Sequence, residues 1–395
     1  MRAYRLIGAP RSAAFVHLRR YLRWKNVAFT EKVADRDVLA GEVKARMTHP
    51  VLPLLITPDN QTISNETAIV DAINTRHAEP NLEPGTAAGL YANCLLEAFS
   101  VKWLSPAAQA ISLATDRDSF TRDVSASVWS HSAAFDQGIL AKRLVRQIEH
   151  RLVRTGFDPV NPLYTETALT EFLDALEYRL QRGSYLFGDH PKSADIALSA
   201  PISLMPSRTF VDLPARYTGV QRWLMNMMEP PGRRPSGERN PISLPDSVYP
   251  VIRFATRSFL TPARETVEAL SDWVASHPGK INLPRTFGQS SPEGKHRRQT
   301  ELTPDYYWLL QGLIDTASRE TLPGERAELN KLDSRNPISW KLERDVRYEN
   351  HKFRVNPVAN ATDSGDQPVP LMFRALDRVV ENSRQTRVLE ALAAE

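Results

Sequence analysis

One cysteine, Cys94, is all that the 395 residues hold. No intramolecular disulfide can form, no site built from several thiolates is available, and such sparing use of cysteine points to a reducing compartment, so the expected address is cytoplasmic. Long apolar runs are missing as well. Nowhere does the chain approach the roughly 18 to 20 consecutive apolar residues of a membrane span, and Met1-Arg2-Ala3-Tyr4-Arg5-Leu6-Ile7 leads into a short strand without an apolar signal-peptide core. The expectation is a chain that is neither secreted nor membrane-bound. There is no GxSxG elbow, no CxxC and no glycine-rich phosphate loop, and the nine histidines show no metal-ligand spacing. Those absences remove the anchors of hydrolase, dithiol-redox, P-loop and metal-site readings. Charge of one sign is also lacking: 50 basic and 46 acidic residues are interspersed and leave a net +4. The basic runs Arg233-Arg234 and Lys295-His296-Arg297-Arg298 lie in loop-like sequence without interleaved aromatics, so no nucleic-acid partner is expected.

What is present is ordinary globular composition, 42% hydrophobic and 24% charged, in a chain long enough for two or three cores. Tyr4 to Ile7 reads as a strand, Gly8-Ala9-Pro10 as a turn, and Ser12 to Trp24 as a helix with Phe15, Leu18, Tyr21 and Leu22 on one face. A strand over 27–33, a helix over 38–47, a strand opening at Pro53, a short strand at Thr62-Ile63 and a helix from Thr67 complete the order β-α-β-α-β-β-α. From residue 88 the periodicity is helical, with segments near 88–101, 105–114, 136–154, 165–182, 193–203 and 218–227. The proline- and glycine-rich stretch 229–237 reads as a boundary. Beyond it, Thr261-Pro262 and Thr303-Pro304 each read as a capping hydroxyl followed by proline at the first helical position, giving helices over 262–276 and 304–318. An amphipathic helix over 369–392 carries Leu371, Phe373, Leu376, Val379 and Val380. The expected units are 1–78, 87–228 and 229–395.

Four stretches carry chemistry or architecture together. Arg11-Ser12, with Leu18-Arg19 and Leu22, opens the first helix. Leu52-Pro53-Leu54-Leu55 begins a strand at a proline. Ile63-Ser64-Asn65-Glu66-Thr67-Ala68-Ile69 makes a turn into a helix. Tyr185-Leu186-Phe187-Gly188-Asp189-His190-Pro191-Lys192-Ser193-Ala194-Asp195-Ile196-Ala197-Leu198 places a carboxylate in the first turn of a buried helix. In this order, over residues 4 to 200, they resemble the glutathione S-transferase superfamily. That resemblance implies a thioredoxin-like βαβαββα domain followed by a glutathione-transferase-type helical bundle, α/β plus all-α, here with a helical C-terminal extension of unknown role.

It also implies glutathione as co-substrate, conjugated to a small hydrophobic electrophile, and leaves room for a homodimer. Leu52 and Pro53 then stand where a cis proline frees main-chain groups to pair with the tripeptide; an ordinary trans proline at an edge strand is the other reading. Asn65 and Glu66 stand at the turn for the γ-glutamyl carboxylate, with Glu66 where the family has a hydroxyl; equally, Asn65 caps the helix and Glu66 complements its dipole. Ser12 is the candidate catalytic residue, a hydroxyl that activates the glutathione sulfur with Arg11 adding positive potential, or else a plain helix cap. Gly8 lies where a tyrosine-type member would have its tyrosine, so the resemblance is to serine-type members. Leu96, Trp103 and Phe120 are the residues expected to line the co-substrate pocket. The second function compatible with this architecture is a non-catalytic interaction or assembly module.

Overall fold

Alternation along the first strand sorts its side chains between two cores. In β1 (Tyr4–Gly8), Leu6 points to one face of the sheet and Ile7 to the other, as period-two geometry requires. The computed structural model describes residues 3–47, 51–128, 134–205, 216–228, 243–287, 302–317, 329, 331–332, 342 and 344–357. The predicted helix over 369–392, the proline-rich break at 229–237 and both basic runs lie outside these residues.

The first helix, α1 (Ala13–Trp24), follows β1 directly, and β2 (Phe29–Val33) returns parallel to it, with Tyr4 opposite Phe29 and Gly8 opposite Val33. Two short helical turns, α2 (Arg36–Val38) and α3 (Lys44–Arg46), flank a π-helical segment Leu39–Val43. β3 (Leu54–Ile56) and β4 (Thr62–Ser64) add antiparallel strands, and the sheet order is β2-β1-β3-β4. Val38, Val43 and Met47 cover one face against Ile7, Leu54 and Ile56. α1 and α4 (Glu66–Arg76) cover the other, with Phe15, Leu18, Ile69 and Ile73 fully buried there. Full burial of such side chains contributes about 1.5–3 kcal/mol each, which fixes where α1 begins relative to the sheet. This is the thioredoxin-like arrangement expected from the sequence.

The helical part begins with α5 (Ala87–Phe99), which passes through a π-helical segment Ser100–Leu104 into α6 (Ser105–Thr115), so the expected break between 101 and 105 is a continuous run instead. Then come α7 (Arg117–Val128), which the sequence reading lacked, α8 (Ala134–Arg154), α9 (Leu163–Leu180), α10 (Ser193–Ser203) and α11 (Thr218–Met228). α1 leans on α10, where the buried guanidinium of Arg20 donates to Ser199 and Ser203 at 2.9 Å each. The extension lies on α5 through α12 (Tyr249–Ser276) and α13 (Pro304–Ala317).

Two features of the extension differ from expectation. Thr261-Pro262 does not start a helix: α12 begins at Tyr249-Pro250 and runs straight through Pro262, and the Thr261 hydroxyl donates back to the Arg257 carbonyl at 3.3 Å. Proline removes one intrahelical bond there, but buried Phe259, Leu260 and Ala263 hold the turn in place by packing. The extension also carries a hairpin, β5 (Arg344–Glu349) and β6 (Lys352–Pro357), in register from Arg344 opposite Pro357 to Glu349 opposite Lys352. Its two-residue turn, Asn350-His351, has positive φ at both positions (49° and 63°), the backbone of a type I′ turn. Thr303-Pro304 starts α13 as expected.

Candidate functional site

Where β1 ends, the chain must turn sharply past β3. A Cβ built on Gly8 would lie 2.6 Å from the Phe15 ring and 3.2 Å from Pro53 Cβ, so the absence of a side chain lets the first turn and the proline strand touch. Ser12 then opens α1. Its hydroxyl accepts from the Phe15 amide at 3.2 Å and donates to the Ala9 carbonyl at 3.0 Å, so it caps the helix while remaining half-buried. Arg11 is exposed and forms an ion pair with Asp123 of α7, joining the first turn to the bundle.

Between these parts lies a cleft of about 610 Å³. Ala9, Arg11, Ser12 and Ala13 form one side, α6 and the end of α10 the floor, and α7 and α8 the far wall. Of the three residues expected to line it, only Phe120 does. Leu96 is fully buried in the core of the bundle, and Trp103 stacks on Phe99 with ring centroids 5.3 Å apart. The helical periodicity that marked them out serves packing.

The Leu52–Pro53 peptide is cis. Pro53 is buried against Gly8, Leu52 is 37% exposed, and Leu52 makes no main-chain hydrogen bond to another described residue. These are the free main-chain groups that strand addition would use. Neither residue lines the cleft.

Asn65 and Glu66 lie at the end of β4. Asn65 has a φ of 76°, in the left-handed region, and its side-chain oxygen accepts from the amides of Thr67 (3.0 Å) and Ala68 (3.4 Å), capping α4. Glu66 reaches back to α1, where its carboxylate meets His17 Nδ1 at 2.5 Å. Sequence reasoning missed His17, a histidine on the buried face of α1, because the contact joins residues 49 apart and depends on how α4 packs. The hairpin turn also arrives here: the buried Ser64 hydroxyl lies 2.8 Å from the Tyr348 hydroxyl and 2.5 Å from His351 Nδ1. The six predicted residues thus fall into three groups, Arg11 and Ser12 at the cleft, Leu52 and Pro53 beside Gly8, and Asn65 and Glu66 between α1 and the hairpin.

Two further titratable groups, Cys94 and Asp195, lie away from the cleft. Burial, with the Glu97, Glu83 and Asp71 carboxylates nearby, pushes the Cys94 thiol well up, away from thiolate chemistry. Among the described residues no group of histidine, cysteine and carboxylate side chains could hold a metal ion, and no helix is long and apolar enough to cross a membrane. Asp195, fully buried, accepts from the amides of Lys192 (2.9 Å) and Leu186 (3.0 Å) and from Trp223 Nε1 (2.9 Å). It therefore ties the first turn of α10 to the loop before it and to α11.

That tie lies within the stretch that comparison with known proteins recognises. Residues 163–224 match the sequence profile of the glutathione S-transferase C-terminal domain. No curated protein sequence matches the chain. Among solved structures the chain is similar to a glutathione S-transferase from Pseudomonas fluorescens, at 19% identity over 59% of this chain and 98% of that one, with a TM-score of 0.37. It is also similar to one from Rhodospirillum rubrum, at 20% identity over 62% and 98%, with a TM-score of 0.35. A third is a beta-etherase from Sphingobium, at 16% identity over 58% and 96%, with a TM-score of 0.43. Residues 163–224 thus carry the profile of a glutathione S-transferase C-terminal domain, and the sheet that precedes them has a thioredoxin-like strand order.

Proposed function

We propose that this protein is a glutathione transferase, holding the tripeptide along the Leu52 main chain and using Ser12 to favour the glutathione thiolate that attacks a small electrophile. In this reading residues 1–78 bind glutathione and 87–228 supply the co-substrate wall, with 229–395 an extension whose described helices α12 and α13 pack on α5. The observation that carries it is the position of Ser12: its hydroxyl opens α1, stands on the wall of a cleft large enough for a small molecule, and follows a turn that touches the cis proline. An amide-rich helix start and a hydroxyl together favour a thiolate over a thiol.

Glutathione fits the residues unevenly. The cysteinyl part finds unpaired main chain at Leu52. At the γ-glutamyl end the Glu66 side chain is engaged by His17, the Ser64 hydroxyl by the hairpin and the Thr67 and Ala68 amides by the Asn65 cap, which leaves the Glu66 amide as the donor for a carboxylate in the first turn of α4. Those engagements, with Ser12 already bonded in both directions as a cap, favour the second reading, a non-catalytic module. One experiment separates the two. Conjugation of glutathione to a chlorodinitrobenzene is measured alongside glutathione binding, in the wild type and in Ser12→Ala. The enzyme reading expects kcat/KM to fall about 100-fold, the effect of removing one aimed hydrogen-bond donor, with affinity nearly unchanged. A wild type that neither binds nor conjugates glutathione leaves the module.

A further inference from the structure

The cleft beside Ser12 is not the uniformly apolar pocket that a hydrophobic co-substrate would use. Its floor is α6, where Ser105, Gln109 and Ser112 recur at the spacing that places residues on one helical face, and all three line the cleft. From Ser105 to Ser112 the row runs about 10 Å at the helical rise per residue. The Ser105 hydroxyl has no hydrogen-bond partner among the described residues. Gln109 Oε1 accepts from Arg151 at 3.1 Å, which leaves the amide nitrogen open, and Ser112 donates to Ala108 at 2.8 Å, which leaves its oxygen free to accept. The row therefore offers both donors and acceptors.

The opposite wall is different. Phe120 and Val124 on α7 and Leu144 and Ile148 on α8 form two apolar pairs, each one helical turn apart. Charge in the cleft is also asymmetric. Arg11 and Asp123 neutralise each other, and among the described residues no cation pairs with Asp116, whose Oδ1 accepts from the Ser119 amide at 2.9 Å. Among the described lining residues Arg11, Asp116 and Asp123 leave one negative charge, which disfavours an anion.

The geometry points to a co-substrate class: a neutral molecule with an apolar body and several hydroxyl or carbonyl oxygens, its body against α7 and α8 and its oxygens along Ser105, Gln109 and Ser112. Its chemistry rests on the transferase reading, but its binding does not need glutathione. Each hydrogen bond formed tightens binding by about 2- to 10-fold, while a purely apolar ligand would leave the row desolvated and unpaired.

The test titrates three ligands of matched shape into the full-length protein without glutathione: 2,6-dihydroxynaphthalene, 2,6-dimethylnaphthalene and naphthalene-2,6-dicarboxylate. Transfer from water alone ranks the dimethyl compound first, so a preference for the diol reports hydrogen bonding. The wild type is expected to bind the diol most tightly and the dicarboxylate least. Ser105→Ala combined with Ser112→Ala is expected to cut the preference for diol over dimethyl compound about tenfold. Asp116→Asn, which keeps a capping oxygen, is expected to admit the dicarboxylate. Three indistinguishable affinities, a wild type that favours the dimethyl compound or the dicarboxylate, or an unchanged preference in the double variant would overturn the assignment. A diol that binds as expected to a protein inactive with glutathione would leave the assignment standing and remove the transferase chemistry.

Discussion

Replacing Asp195 with alanine removes the acceptor of three buried donors, the amides of Leu186 and Lys192 and the Trp223 indole. Asp195 and Trp223 are 0% and 1% exposed, so no water takes the carboxylate's place without a rearrangement. Leaving a buried donor unsatisfied costs about 1–3 kcal/mol, so the three together predict a loss of about 3–9 kcal/mol, a large part of a domain's stability of about 5–15 kcal/mol. Asp195→Asn keeps one accepting oxygen and sets an amide against one of the donors, so it is expected to fall between wild type and alanine. Burial raises the carboxyl to about 6, against the pull of the three donors and Arg179. A native value above the unfolded one means that the native state binds the extra proton. The contribution of Asp195 is therefore greatest at low pH and is lost as pH rises through about 6, so the deficit of the alanine variant is expected to be about 1 kcal/mol larger at pH 5 than at pH 7. Urea unfolding at both pH values, followed by tryptophan fluorescence, measures this. An alanine variant within about 1 kcal/mol of wild type would refute the view that this carboxylate organises the bundle.

Glu66→Ser removes a negative charge from the γ-glutamyl end; at about 4 Å in water such a charge costs a carboxylate about 1 kcal/mol, so glutathione is expected to bind about fivefold more tightly by equilibrium dialysis, and weaker binding would count against that placement. Ser12→Ala also removes a helix cap, and a loss of about 1 kcal/mol in urea unfolding is expected whichever function holds; an unchanged midpoint would show that the cap is not used. Burial lowers the His351 imidazole below its usual 6.5, so docking of the hairpin favours the neutral ring. That contribution is whole above about pH 6.5 and is lost as pH falls through the lower native value. Amide exchange in β5 and β6, corrected for its intrinsic pH dependence, is expected to quicken on going from pH 7 to pH 5 in wild type and not in His351→Gln; equal behaviour of the two would remove His351 from the contact.

Local rules read this sequence well where one residue decides. Pro53 at the start of a strand and Thr303-Pro304 at the start of a helix are steric statements that tertiary structure leaves alone, and Asp195 occupies a capping position whose donors are three and nine residues away. The same rule misled at Thr261-Pro262, because α12 already had a start at Pro250 and its buried face outweighs one missing hydrogen bond. The π-helical segments carry no pattern in their residues. α7 is too polar to show a face, and the hairpin hides its alternation of Val346 and Tyr348 among the charged residues Asp345, Arg347 and Glu349. Asn350 at the turn was the available signal for it. At the site, a strand opening at Pro53 and a hydroxyl opening α1 at Ser12 are legible in the sequence, while the cis form of the Leu52–Pro53 bond is one of two readings there, and the Glu66–His17 pair, the Arg11–Asp123 pair and the hydroxyl row of α6 need the helices assembled first.

The clasp at Ser64 closes over almost the whole chain: its partners Tyr348 and His351 lie 284 and 287 residues further on. Synthesis proceeds from the N-terminus, and contacts of long sequence separation form after local ones. The Ser64 hydroxyl is consequently without these two partners on the ribosome until residue 351 has emerged, and a chain stopped short of the hairpin never gains them. Such a truncated product and the finished protein would present different surfaces at the end of β4.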